Sequence, residues 1–137
     1  MFFYDNQLIA YFALCGDAIR LSTREKARIL GEHPKLAYED YPALKITRLA
    51  VCSDYQSHGI GRYLLNGIVG FSQDINEEFG VAFKFIAVDA KNDERSIRFY
   101  RDYGFVENMS AYEAPEKPDE PISMRFLIED REEVLDA

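Results

Sequence analysis

Residues 44–65, LKITRLAVCSDYQSHGIGRYLL, constrain this chain more than any other stretch. Ile46, Thr47, Arg48, Leu49, Ala50 and Val51 form a β-type run that closes on an apolar end, as a strand entering a core does. A polar turn follows, from Cys52 through Ser57 and His58, and then the pair Gly59 and Gly61 around Ile60. Beyond it the apolar period lengthens. Ile60, Leu64, Ile68, Phe71 or Ser72, Ile75 and Phe79 fall on one face of a helix over residues 60–79, which Gly80 terminates. A strand that feeds a helix through a glycine-rich turn aims several backbone N–H groups at one spot, and the helix macrodipole adds positive charge there. The expected ligand of such a spot is an anion, and in a chain this small a cofactor phosphate. The plain alternative is an ordinary turn.

Two nucleotide fingerprints are excluded. The dinucleotide fold requires a third glycine, and Leu64 stands in its place. The P-loop requires Gly-Lys-Ser/Thr, and Gly61 is followed by Arg62 and Tyr63.

Composition narrows the classes. The 137 residues suffice for one domain, and 47% apolar content is that of a globular protein. No run approaches the eighteen apolar residues of a membrane span, and residues 1–5 lack the basic start of a secretory signal. Cys15 and Cys52 are too few for a disulfide framework or a metal site, so the expected compartment is the reducing cytoplasm, with no metal. Cys52 reads as a small buried filler, with an acyl-carrying thiol as the alternative. The net charge of −8 opposes attraction to nucleic acid and suits a cationic acceptor such as an amine.

The remaining segments order themselves around that centre. Residues 2–22 read as strands with hairpin turns at Asp5-Asn6 and Gly16-Asp17. Residues 23–32 read as a short helix capped by Ser22 or Thr23, with Glu25 or Lys26 in the first turn. Residues 33–42 read as a proline-bounded loop, either a connector or a carrier of acceptor-binding groups. Gly67 and Gly70 each cost the central helix about 1 kcal/mol relative to Ala, which close packing against a sheet would explain. A strand at 83–88 ends at Asp89, a last helix spans 93–103, Gly104 ends it, and a strand starts at Phe105. Residues 111–121 are Pro/Glu-rich, 122–128 read as a closing strand, and 129–137 as an acidic tail. The expected class is α/β, a mixed twisted sheet with flanking helices.

Gln56-x-x-Gly59-x-Gly61 after a strand resembles the pyrophosphate loop of the GNAT superfamily of acyl-CoA-dependent N-acyltransferases. The second half of that signature, aromatic-Tyr-x-x-x-Gly-Phe, is matched by Phe99, Tyr100, Gly104 and Phe105, and the resemblance covers roughly residues 7–128. It implies the GNAT fold, here expected to lack the usual first strand and helices. It also implies that the 44–51 and 83–89 strands splay apart around the pantetheine arm of acetyl-CoA. Backbone groups of Leu49, Ala50 and Val51 would grip that arm and the carbonyl oxygen. Those of Gln56, Ser57, His58, Gly59, Ile60, Gly61 and Arg62 would hold the pyrophosphate, with Phe99 packed beside the cofactor. Tyr100 takes the position of the general acid that protonates the leaving thiolate, the alternative being a packed aromatic. The family often has an asparagine seven positions before that tyrosine; here the position is Asp93, with Asn92 one earlier. Glu39, Asp40 and Asp89 are candidate bases without an assignment.

Arg48 through Leu65, Phe99 through Phe105 and Met124 through Ile128 most resemble the acetyltransferase toxins of bacterial toxin–antitoxin pairs. The resemblance implies direct transfer of an acetyl group from acetyl-CoA to the primary amine of a small molecule, peptide or protein, in a ternary complex. Acetylation of aminoacyl-tRNA is the subordinate alternative, since that acceptor calls for a basic surface. A non-catalytic CoA-binding or interaction module is the alternative of a different class. A homodimer is compatible with the sequence.

Overall fold

The structure is a computed structural model that describes residues 1–32, 40–56, 58–108 and 119–129. Its elements run β1 (Phe2–Tyr4), β2 (Gln7–Arg20), α1 (Thr23–Glu32), β3 (Asp40–Val51), α2 (Ile60–Phe79), β4 (Phe85–Ala90), α3 (Glu94–Tyr103), β5 (Val106–Glu107) and β6 (Ile122–Leu127). The strands form one six-stranded mixed sheet in the order β1-β2-β3-β4-β6-β5, with β3 and β4 its parallel pair. No described helix is long and apolar enough to cross a membrane.

Local chemistry accounts for most element ends. Asp5 and Asn6 both adopt positive φ, 53° and 61°, and close the β1–β2 hairpin. The turn expected at Gly16-Asp17 is not there: β2 runs straight through it. Every residue of β2 from Ala10 to Arg20 pairs with β3, Gly16 opposite Leu44 and Asp17 opposite Ala43, so long-range pairing overrides the local turn preference. β3 likewise starts at Asp40, inside the stretch expected to be loop; residues 33–39 lie outside the described residues.

Helix α1 begins with a capping box. The Glu25 N–H donates to Ser22 Oγ at 3.1 Å, and the Ser22 N–H donates to Glu25 Oε1 at 3.0 Å. The other oxygen of Glu25 accepts from Arg125 Nη1 of β6, in an ion pair with both side chains buried. The same nitrogen donates to Asn108 Oδ1 at 2.9 Å. One carboxylate therefore starts the helix and fastens it to the sheet.

The sheet has an apolar layer on each face. Ile19, Leu21, Tyr41, Ala43, Phe85 and Ala87 pack with Ile29 of α1. On the other face Leu44, Ile46, Ile86, Val88 and Met124 pack with Leu65 and Ile68 of α2 and with Tyr100 and Phe105. The buried stripe of α2 is Leu64, Leu65, Ile68 and Ser72. Of the two alternatives Phe71 and Ser72, Ser72 is the buried one and Phe71 is 48% exposed, and Phe79, also expected on that stripe, is 73% exposed. Phe71 lies about 100° of helix rotation before Ser72, at the rim of the stripe. Phe79 is the final residue, where the covering layer has run out. A Cβ at Gly67 would meet nothing within 4 Å, so close packing does not account for that glycine.

The feature that creates a site is a fork. β3 and β4 pair only from Ala43 opposite Phe85 to Ile46 opposite Val88. From there β3 stays with β2 as far as Val51, and β4 stays with β6 as far as Ala90.

Candidate active site

The fork exposes one edge of β3. The Cys52 N–H donates to Ile9 O at 2.6 Å, which fixes the hydrogen-bonding parity of the β2–β3 ladder there. Main-chain groups of Ala50, opposite Tyr11, therefore point to β2, and those of Leu49 and Val51 point into the gap. The Val51 carbonyl accepts from Gln56 Nε2 at 3.0 Å, on that side. Leu49 and Val51 line a cleft of about 610 Å³, and Ala50 does not.

The turn after β3 supplies a second wall. Gly59 sits at φ +77° as the N-cap of α2, a conformation most side chains resist. The Tyr63 N–H bonds back to Gly59 O at 3.0 Å, so the N–H groups of Ile60, Gly61 and Arg62 precede the helical ladder. All three residues line the cleft, with Gln56 and Gly59. A Cβ on Gly61 would come within 2.9 Å of the Phe99 ring, so the helix start is bare backbone at its closest approach to α3. His58 is exposed, its Nδ1 lies 3.1 Å from Gln56 O, and it is not in the cleft wall. Ser57 lies outside the described residues. Arg62 places its guanidinium 5.8 Å from the centroid of the Tyr103 ring.

Helix α3 supplies the third wall through Asp93, Arg95, Ser96, Phe99 and Tyr100. Asp93, where the family often has asparagine, caps the helix: its Oδ1 accepts from the Ser96 N–H at 2.7 Å. That backbone hydrogen bond, with a second from the Ser96 side chain, holds its carboxyl below the usual range. Tyr100 is 8% exposed and meets Phe99 and Phe105 edge-on, with ring centroids at 5.0 and 5.3 Å. Burial pushes its phenol up to about 12, so at neutral pH this cleft-lining residue keeps its proton.

Residues 5–107 match the family described as "Acetyltransferase (GNAT) domain". The chain belongs to that family. Among solved structures, the GNAT domain is similar to AtaT complexed with acetyl-methionyl-tRNAfMet, at 20% identity and a TM-score of 0.66, covering 90% of this chain and 64% of that one. It is also similar to a mutant of KacT, at 17% identity and 0.66, covering 89% and 64%. A structure described as a bacterial toxin matches at 21% identity and 0.67, covering 90% and 62%. The chain thus spans somewhat less than two thirds of the length of these structures. No curated protein matches it by sequence.

Five cleft residues of the GNAT domain lie outside the set that the sequence reading assigned to the site. Tyr55, Lys91, Asp93, Arg95 and Ser96 line the same cavity as Arg62, and Lys91 and Arg95 bring further cationic side chains to it. The available signal was position: Lys91 directly follows β4, and Arg95 opens α3, at the far prong of the fork. The candidate bases do not converge on the cleft. Asp89 pairs with Lys45 at 2.7 Å, on the sheet face that carries α1, and Asp40 pairs with Arg20 at 3.2 Å at the start of β3. Glu39 lies outside the described residues. Among the described residues no group of three His, Cys, Asp or Glu is placed to hold a metal ion.

Proposed function

We propose that this domain is an acetyl-CoA-dependent N-acetyltransferase that transfers acetyl directly to a primary amine in a ternary complex. The observation that carries the reading is one cleft uniting three parts: the free edge of β3 at Leu49 and Val51, the bare start of α2, and Tyr100. Acetyl-CoA fits these parts by chemistry, since its amide-bearing arm suits a strand edge and its diphosphate suits a helix N-terminus. When bound it supplies the activated thioester. The edge at Leu49 and Val51 orients the arm, and the N–H groups of Ile60, Gly61 and Arg62 hold the phosphates. The Tyr100 hydroxyl donates a proton where a thiolate would depart. A reducing cytoplasm is the setting in which such a domain would act.

Ligand binding is expected to stabilise the fold. At a hundred times its dissociation constant, acetyl-CoA should add about 2.7 kcal/mol, read as a rise in melting temperature. Gly61→Asp should abolish that rise and also lower the unliganded transition. Its side chain would collide with Phe99 and bring negative charge to the anion site. A wild-type protein indifferent to millimolar acetyl-CoA would refute the reading.

Aminoacyl-tRNA is the second acceptor class, favoured by the similarity to AtaT, which that structure describes in complex with acetyl-methionyl-tRNAfMet. Charge separates the two. With 16 basic residues against 24 acidic ones, a small or peptidyl amine is the expected acceptor, and activity should decline only gently with salt. A tRNA acceptor would make the decline steep, because each neutralised phosphate releases counterions. Steep salt dependence with aminoacyl-tRNA, or growth arrest on expression that Tyr100→Phe relieves, would decide for tRNA.

A further inference from the structure

Facing the start of α2 across the cleft, α3 presents Arg95 from its first turn. Arg95 Nη2 donates to Gln56 Oε1 at 2.9 Å, and Gln56 Nε2 donates in turn to the Val51 carbonyl at 3.0 Å. The guanidinium is thus tied to the end of β3 by a neutral amide, which engages one of its five donors and none of its charge. No ion pair of Arg95 occurs among the described residues. Two nearby carboxylates are engaged elsewhere: Glu94 pairs with Arg98 at 2.5 Å, and Asp93 caps α3 and lies 3.7 Å from Lys91. Arg95 and Phe99 also line a second depression, of about 420 Å³, with Arg98, Glu94 and Asp102. Arg95 and Phe99 are therefore common to the walls of both the cleft and this depression.

We propose that Arg95 is the side-chain half of the anion site. It binds a phosphate of the nucleotide end of the acyl carrier, opposite the backbone N–H groups of α2. This rests on the acetyl-CoA reading and adds a residue to it. Gln56 is the positioning residue, because its amide holds the guanidinium at the cleft mouth. A planar five-donor fork matches phosphate oxygens in pairs, which an ammonium does not.

The test measures dissociation constants by calorimetry for wild type, Arg95→Ala and Arg95→Lys against three probes. These are CoA, dephospho-CoA, which keeps only the diphosphate, and S-acetyl-pantetheine, which carries no phosphate. Arg95→Ala should weaken CoA by about 10- to 100-fold and leave S-acetyl-pantetheine unchanged. Arg95→Lys should fall between. A loss that persists with dephospho-CoA assigns the contact to the diphosphate, and a loss that vanishes assigns it to the 3′-phosphate. Equal affinity of wild type and Arg95→Ala for CoA overturns the proposal while leaving the acetyl-CoA reading standing. A wild type that binds no CoA removes both. Arg95 is exposed, so the unliganded variants should melt with wild type.

Discussion

Tyr100→Phe is expected to lower turnover by a factor of about 10²–10⁴ and to leave acetyl-CoA affinity nearly unchanged. The ring keeps its packing against Phe99 and Phe105, and only the hydroxyl is lost. The pH profile carries a second test. Burial raises the phenol to about 12, so the acid form persists across the whole physiological range. Turnover should therefore climb as the acceptor amine loses its proton, with no descending limb from Tyr100 until pH approaches that value. A descending limb near pH 9 that disappears in the Phe variant would contradict the burial. Wild-type turnover in that variant would reduce Tyr100 to a packing residue.

Glu25→Ala is expected to cost about 3–5 kcal/mol in urea unfolding, the range for removing one partner of a buried ion pair. Glu25 is 4% exposed and Arg125 7%, so the arginine left behind would keep its charge inside the fold. The variant also loses the acceptor that satisfies the Ser22 N–H. Glu25→Gln should cost less, since the amide oxygen can still serve the cap. Replacing both partners, as in Glu25→Leu with Arg125→Met, should recover much of the loss, because an apolar pair leaves no stranded charge. A cost below about 1 kcal/mol for Glu25→Ala would show that water reaches Arg125 in the folded state.

The sequence was legible where structure is written locally. Gly59 and Gly80 bound α2 because both sit at positive φ, as does Gly104 at the end of α3, whereas Asp93 starts α3 through its side-chain cap. Phe99 and Tyr100 reach the cleft because α3 carries them on the face that meets α2 and the sheet. Contacts between distant segments were not legible. Glu25 and Arg125 are a hundred positions apart, and nothing in either neighbourhood announces the other. Gly16-Asp17 has the chemistry of a turn, and only its pairing with Ala43 and Leu44 makes it strand. Arg95 becomes a cleft residue through a bond to Gln56, 39 positions away. Ala50 shows the converse, since its neighbours Leu49 and Val51 face the gap while ladder parity turns its own backbone to β2.

The forked sheet also has the proportions of a lever. Its two halves share only the four residue pairs from Ala43 and Phe85 to Ile46 and Val88. Beyond this hinge, the five-residue advance from Ile46 to Val51, paired only with β2, makes an arm about 17 Å long. A rotation of about 5° about the shared pairs displaces the tip by about 1.5 Å, half the donor–acceptor distance of a hydrogen bond. The tip carries Val51, whose carbonyl is tied through Gln56 to Arg95 on the opposite prong. A rotation at the hinge would thus be felt most at Val51, so a substitution among the shared pairs is a way to act on the mouth without touching any residue that lines it.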